Sequence, residues 1–431
     1  MTRLASILAI SLSLSCFASC GRQPPTPSLA FEPNLVHAYK YEIRERIPMQ
    51  QVLQDANWAV EQIFGTAEAP RIPEFIGQDP ELSGIVQEDR LLEAQALYNK
   101  HQCVTCHGQT GNGRGETAGL LNPYPRDYRM GVFKFKSTRR NSKPTRSDLA
   151  GLIRHGIAGT TMNAIEKLSD QETDLLVDYV IYLSWRGEVE RAIIDEVLEV
   201  DVAEGERVID PSGKNTSDAE KKEAFDEAWE VVEVSAIEIA EAWLDAEDYV
   251  VEVTLPTDIP LPADGAEYRE WLQGDQRDSL LASTQRGKEL FSGKIAACNK
   301  CHGDLGKGDG QTVDYDDWTK DWTTRIGLKP DNPDDTIPFM ARGALPPHTI
   351  NPRNFAEGVF RGGATPEDLY RRITVGIAGT PMPAITFVEG ELESDDVWHL
   401  INFIRSLEEP PTEEEEPPTE EDVAEPTEAT T

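Results

Sequence analysis

Two five-residue segments of the form Cys-x-x-Cys-His stand 195 positions apart in this chain, at 103–107 and 298–302. Each opens the same series of downstream features: a glycine-rich stretch, a Pro-Arg pair, a Gly-Val-Phe triplet, and a Gly-Ile-Ala-Gly-Thr-x-Met-x-Ala-Ile segment at 156–165 and 376–385. The chain therefore contains an internal duplication. The second copy has about 32 additional residues before its Pro-Arg pair and lacks seven after its Val-Phe pair.

The spacing within each motif is that of a c-type haem attachment site, in which two thiols bond to the haem and the adjacent His becomes the proximal iron ligand. Zinc knuckles or dithiol redox sites fit less well, because neither motif is accompanied by a second Cys or His pair at zinc-finger spacing. We expect two covalently bound haem c groups, held by Cys103, Cys106 and His107 in the first copy and by Cys298, Cys301 and His302 in the second.

An iron that only transfers electrons carries a second axial ligand, and a distal Met raises its potential. A lone Met is more often a gap-filling core residue. Met162 and Met382, however, occupy equivalent places in the duplicated Gly-Ile-Ala-Gly-Thr segment, which favours both as distal ligands. The competitors Met130 and Met340 have no counterpart in the other copy.

Arg126 and Arg353 follow the proline of each Pro-Arg pair. Because a guanidinium suits carboxylate geometry, they are candidates to bind haem propionates, with a surface role as the alternative. The glycines after each motif are expected to shape the loop beside the haem. They do not form a phosphate loop, because no strand precedes them and no Gly-Lys-Ser/Thr follows.

The N-terminus has the pattern of an export signal. Arg3 precedes a mostly apolar stretch, 4–18, that is too short to span a bilayer. Residues 17–20, Phe-Ala-Ser-Cys, resemble a bacterial lipobox, in which Cys20 becomes the lipidated first residue; ordinary cleavage is the alternative, since Phe17 departs from the usual Leu. We expect an exported, periplasmic protein anchored to a membrane through Cys20.

The charge is strongly negative and unevenly spread. The net charge is −36, of which residues 188–278 contribute −21 and residues 408–431 contribute −11. Binding to nucleic acid is therefore not expected. Against this background the first copy has a basic cluster, for which docking of an acidic redox partner and contact with the chain's own acidic segment are both open: Arg126, Arg129, Lys134, Lys136, Arg139, Arg140, Lys143 and Arg146.

Helical periodicity predicts the order helix, haem motif, glycine loop, helix, Met loop, helix in each copy. The first helix is predicted at 89–99, with Leu92, Ala96 and Leu97 on one side. Between the copies, residues 217–245 read as an amphipathic helix with Ser217 at its N-cap. Another helical piece is predicted around 48–64.

Each copy resembles a class I cytochrome c domain, over 89–186 and 281–407. The resemblance implies that the first and last helices of each domain cross closely. Ala94 and Gly287 are the small residues expected at the crossings, against Tyr179 and Phe403.

We therefore predict a mainly α protein with two cytochrome c-like haem domains joined by an acidic helical segment. The expected divisions are a signal peptide at 1–20, an N-terminal helical and Pro-rich region at 21–88, the first haem domain at 89–187, an acidic insert at 188–280, the second haem domain at 281–407, and a disordered acidic tail at 408–431.

The expected function is one-electron transfer with redox partner proteins in an extracytoplasmic respiratory or oxidoreductase chain, which makes a carrier more fitting than an enzyme. Two alternatives stay open. One is a di-haem enzyme such as a peroxidase, which needs an iron with an open position. The other is a haem-bearing subunit of a larger oxidoreductase complex.

Overall fold

The computed structural model describes residues 31–410. The predicted signal segment, with Cys20, and nearly all of the predicted tail lie outside these residues. The described part is mostly helical. Its α-helices are α1 Leu35–Glu45, α2 Met49–Phe64, α3 Glu74–Gly77, α4 Leu91–Lys100, α5 Cys103–His107, α6 Arg146–His155, α7 Asp170–Asp195, α8 Ala219–Leu244, α9 Gly265–Trp271, α10 Arg277–Ser292, α11 Asn299–His302, α12 Asp317–Asp321, α13 Pro333–Met340, α14 Pro366–Val375 and α15 Asp396–Ser406.

Two short antiparallel ladders complete the regular structure. Strands β1 Gly65–Thr66 and β2 Ala69–Pro70 form a hairpin after α2. Strands β3 Asp314–Tyr315 and β4 Thr349–Ile350 pair with Asp314 opposite Ile350. The second pair closes the base of the segment that only the second copy contains, which we call the added segment, residues 314–350.

The close helix crossings are present in both domains. Gly287 of α10 lies so near α15 that a Cβ atom on it would stand 1.9 Å from the backbone oxygen of His399. Ala94 of α4 is fully buried where α4 packs on α7. An aromatic pair flanks each crossing, Tyr98 with Tyr179 and Phe291 with Phe403, each with ring centroids 5.1 Å apart.

The first domain is larger than its haem-binding part. One core joins α4, α6 and α7 with the N-terminal α1 and α2 and with α8 of the acidic insert. Trp185 of α7 donates from its indole nitrogen to the backbone oxygen of Ala236 in α8, at 2.9 Å. The acidic helix therefore packs on the first domain through its apolar face.

Several predicted details were wrong. Helix α8 starts at Ala219 with Asp218, not Ser217, as its N-cap. In α4, Leu92 is 54% exposed and Ala96 is also exposed, because the buried face is formed by the neighbouring positions Leu91, Ala94, Leu97 and Tyr98.

A smaller apolar core lies where helix α1 meets the second domain. Val36 and Tyr39 of α1 pack against Trp322, Phe339 and Ala344 of the added segment. The two domains are thus joined through α1 as well as through the chain between them. Among residues 31–410, no helix combines the length and the apolar character needed to cross a membrane.

Candidate haem sites

Both Cys-x-x-Cys-His motifs form a single helical turn with the His at its end, in α5 and α11. His107 donates from Nδ1 to the backbone oxygen of Arg126 at 3.2 Å, and His302 donates from Nδ1 to that of Arg353 at 3.3 Å. A carbonyl oxygen can only accept, so the proton is on Nδ1 and Nε2 keeps its lone pair. This is the tautomer that a metal-ligating His adopts when its other nitrogen is held by a carbonyl.

An aromatic ring stacks on each proximal His. Tyr128 lies 4.8 Å from the His107 ring at an interplanar angle of 17°, and Phe355 lies 4.6 Å from His302 at 18°. A second aromatic, Phe133 or Phe360, stacks behind each. Sequence reasoning missed Tyr128 and Phe355, although both follow the Pro-Arg pair by two residues and could have been found in the aligned copies.

Burial sets the protonation state of both ligands. It lowers the pKa of His107 to about 4, and it also lowers the pKa of His302. Both imidazoles are therefore neutral near pH 7, which is the form that binds iron.

The four thiols are unpaired and half-buried. Burial raises the pKa of Cys103 and of Cys298 to about 11. A redox-active dithiol has a lowered thiol pKa instead. Within residues 31–410, no group of three or more His, Cys, Asp or Glu side chains could hold a metal ion. The residues present therefore fit thioether attachment of haem better than zinc or dithiol chemistry.

The glycines after each motif allow a close backbone approach. Gly113 and Gly308 have φ of 67° and 76°, and a Cβ there would stand 2.7 Å and 2.5 Å from the backbone oxygens of Pro125 and Pro352. Only glycine combines this φ with this contact. These contacts keep each Pro-Arg pair close to its haem motif, where the backbone oxygens of Arg126 and Arg353 accept from the two histidines.

The two Met loops have the same construction. The backbone nitrogen of Ile157 donates to the oxygen of Met162 at 2.8 Å, and that of Ile377 donates to Met382 at 3.2 Å. In each loop a Thr hydroxyl, Thr160 or Thr380, donates to the Ile oxygen and accepts from the Met nitrogen. The loops are therefore closed by the same bonds.

The competing methionines lie in other surroundings. Met130 ends the turn that begins with Tyr128, the residue stacked on His107. Met340 ends α13 in the added segment. The second copy repeats the turn of Met130 at Phe355–Glu357, with Glu357 in place of the Met, and the first copy has no counterpart of the added segment.

The side chains of Arg126 and Arg353 contact the rest of the chain. The Arg126 guanidinium lies 3.2 Å from the ring centroid of Trp318, and burial lowers its pKa to about 10. Arg353 lies 4.0 Å from the carboxylate of Glu357. The contact of both residues with the haem motif is made by their backbone oxygens. A propionate contact by their side chains stays a prediction.

The sequence profile of the Cytochrome c family matches residues 91–184 and 284–408. Together these regions make up half of the chain. This protein belongs to the cytochrome c family. Cytochrome c domains bind haem covalently and transfer electrons. The match over both regions confirms the prediction of two cytochrome c-like domains in a mainly α chain.

Comparison with individual proteins adds little to the family assignment. No curated protein matches this cytochrome c. A chain of the Kuenenia stuttgartiensis reducing HAO-like protein complex is similar at 23% identity and a TM-score of 0.42, over 75% of this chain and 97% of that chain.

Members of the basic cluster of the first domain contact other parts of the chain. They contact the acidic insert, the added segment and the second Met loop: Lys143 pairs with Glu188, Lys134 lies near Asp316, Arg139 lies over Tyr249, and Arg140 donates to the Met382 loop. Of the two interpretations left open by the sequence, contact within the chain is the one the structure favours.

Proposed function

We propose that this cytochrome c carries two haems and transfers single electrons between redox partner proteins. The proposed ligands are His107 with Met162 and His302 with Met382. Haem iron supplies the one-electron redox change, and the chain fixes the ligands and excludes water. The observation that carries the proposal is the repeated construction of both sites, from the Nδ1 bond of each His to the bond that closes each Met loop.

The equal construction of the two sites supports electron transfer rather than enzymatic catalysis. An enzyme of the peroxidase kind needs one iron with an open position beside an acid–base group. The two Met loops instead share their sequence and their closing bonds, so both sites are suited to two permanent axial ligands.

The ferric spectrum of the purified protein tests the ligand set. His/Met ligation gives a weak near-infrared sulfur-to-iron band, and Met162→Ala and Met382→Ala should each remove about half of it, because each variant loses one of two ligands. Met130→Ala and Met340→Ala are matched controls and should leave the band unchanged. A haem count of one after denaturation, or a bis-His spectrum, would contradict the proposal.

Export and anchoring form a separate part of the proposal, supported by the sequence of residues 1–20. Cytochrome c haem attachment is completed outside the bacterial cytoplasm, and a lipid on Cys20 would hold the protein at a membrane surface. Cys20→Ser should move it from the membrane fraction to the soluble periplasm, and Cys16→Ser should not. A wild-type protein that is already soluble would show that Cys20 carries no lipid.

A further inference from the structure

Two loops that differ between the copies each reach the other domain. The first copy has residues 134–145 between Phe133 and α6, whereas the second has only residues 361–365 at this place. The longer loop carries Arg140. The added segment of the second copy carries Trp318, which lies on Arg126 of the first domain.

Arg140 binds the second Met loop through two backbone oxygens. Its Nη1 donates to the oxygen of Met382 at 2.6 Å and its Nη2 to the oxygen of Thr380 at 2.8 Å. Both donors belong to one planar guanidinium, so the two bonds fix the orientation of the loop as well as its distance.

The same loop is held from a second side. The backbone nitrogen of Asp317 donates to the oxygen of Gly379 at 3.1 Å. The next residue, Trp318, packs against Gly379 and donates from its indole nitrogen to the oxygen of Asp127 at 3.2 Å. Residues 379–382 therefore lie between two contacts that both lead to the first domain.

The first Met loop has a weaker counterpart. Arg361 donates to the oxygen of Gly159 at 3.1 Å, in an exposed bond. Within residues 31–410, no side chain donates to the oxygens of Thr160 or Met162 in the way that Arg140 donates to Thr380 and Met382. The two loops thus share internal bonds and differ in external support.

We propose that Arg140 is a positioning residue for Met382, so that the first domain holds the distal ligand of the second haem in place. The inference rests on the proposed function, since it takes Met382 to be that ligand. A movement of the loop backbone that carries Met382 away from its site would break two charge-assisted hydrogen bonds at once. In the described part of the chain, the second domain gives the first Met loop only the exposed bond from Arg361 to Gly159, and no pair of bonds equivalent to those of Arg140.

Imidazole competition measures how firmly Met382 is held. Added imidazole binds the ferric iron only after the Met has left, so its apparent affinity reports the fraction of protein with an open site. A Met162→Ala background leaves Met382 as the only source of the near-infrared band. In that background Arg140→Ala should raise the imidazole affinity at the second haem roughly tenfold to a hundredfold, the loss expected for hydrogen bonds from a charged donor.

Arg139→Ala is the matched control. It removes a cation from the same loop, but the Arg139 guanidinium lies over Tyr249 and donates nothing to the Met loop. Its imidazole affinity should equal that of the background. In a Met382→Ala background, Arg140→Ala should leave the first haem unchanged.

Arg140→Lys keeps the charge and can serve only one oxygen at a time, so it should give an intermediate affinity. If Arg140→Ala does not fold, the imidazole affinity of Arg140→Lys provides the test in its place. Equal affinities for the Arg140 and Arg139 variants would overturn the inference while leaving the proposed ligands intact. A protein without a Met band at the second haem would instead overturn the proposed ligand set, and this inference with it.

Discussion

At the level of single residues, the two haem sites are supported by backbone contacts as much as by side chains. The carbonyls of Arg126 and Arg353 orient His107 and His302, and Tyr128 and Phe355 pack on the imidazole faces. These contacts restrict rotation of each ring before iron is bound. A restricted ligand loses less conformational entropy when it coordinates.

Gly287 offers a test of the helix crossing in the second domain. Gly287→Ala places a Cβ atom 1.9 Å from the backbone oxygen of His399, an overlap that only helix displacement can relieve. Forcing extra volume into such a contact costs about 1–3 kcal/mol, so urea unfolding should shift to lower concentration by that free energy. The control Gly151→Ala is in α6, where a Cβ meets no atom within 4 Å. It should be neutral or stabilising by about 0.5–1 kcal/mol. Equal stability of both variants would mean that the helices cross less closely.

His37 offers a pH test. It is 2% exposed and bonds to Asp195. Burial, assisted by the nearby Arg191 guanidinium, lowers its pKa to about 4, although the bond to Asp195 acts in the opposite direction. An unfolded chain binds this proton near pH 6.5, so between pH 6.5 and 4 the unfolded state holds more protons than the folded one. The contribution of His37 to the free energy of unfolding is thus complete above pH 6.5. It declines as the pH falls from 6.5 to 4, by about 3 kcal/mol in all.

The measurement is the free energy of unfolding at pH 7.5 and 4.5. His37→Gln should lose less stability between the two values than the wild type does, since Gln does not titrate. His155→Gln, a change at an exposed position of α6, should behave as the wild type. An unchanged pH dependence in the His37 variant would show that folding does not alter the pKa of this imidazole.

The two cytochrome c-like domains could be predicted, because the chemistry of haem attachment demands a fixed spacing and the duplication repeats it. The buried face of α4 could not be predicted from composition alone. Leu92 and Leu91 are equally apolar, and only the rotation of α4 against α7 decides that Leu91 is buried and Leu92 exposed. The N-cap was similarly ambiguous, since Ser217 and Asp218 are both good caps and lie side by side.

At the level of elements, two loops that differ between the copies, residues 134–145 and the added segment, also join the two domains. The alignment of the copies revealed both loops but gave no partner for either. A cluster of positive charge predicts attraction to negative charge without saying whether that charge is in the same chain. The structure supplies internal partners, Glu188 for Lys143 and the Met loop carbonyls for Arg140.

Charge reversal in the 134–145 loop should therefore affect stability. Changing Arg139, Arg140 and Lys143 together to Glu removes the bonds to the Met loop and places a carboxylate beside Glu188. Loss of one partner of a buried pair costs about 3–5 kcal/mol, so the thermal midpoint should drop by several degrees. Lys288, Lys294 and Lys307 are exposed, and their reversal to Glu is the charge-matched control. A slower reaction with a partner at unchanged thermal stability would restore the docking interpretation.

At the level of the whole molecule, the two domains meet at a buried ionic junction. Asp321 of the added segment accepts from Lys40 of α1 at 3.1 Å and from Arg191 of α7 at 3.3 Å. Both cations, with Arg191 foremost, hold the pKa of Asp321 well below its usual range although burial alone would raise it. The junction therefore joins three distant parts of the sequence through one carboxylate.

Asp321→Asn should loosen this junction without unfolding either haem domain. It leaves Lys40 and Arg191 largely buried without a counter-charge, a loss of about 3 kcal/mol or more. Hydrogen exchange should accelerate in α1 and in residues 317–345, while the crossing of α10 and α15 keeps its protection. Asp331→Asn changes an exposed carboxylate of the same segment and serves as the control. Unchanged exchange in α1 would show that the apolar contacts suffice.

The packing of α1 on the added segment also has a consequence for the order of synthesis. Val36 and Tyr39 find their partners Trp322 and Phe339 only about 290 residues later in the chain. A chain that emerges from its N-terminus can complete the core of the first domain long before these partners exist. Until then α1 presents an uncovered apolar face on a marginal helix, and local opening exposes such segments to proteases. Closure of this face is thus a late event that requires the chain to extend past Ala344, so products that end before Trp322 would keep a cleavable N-terminal helix.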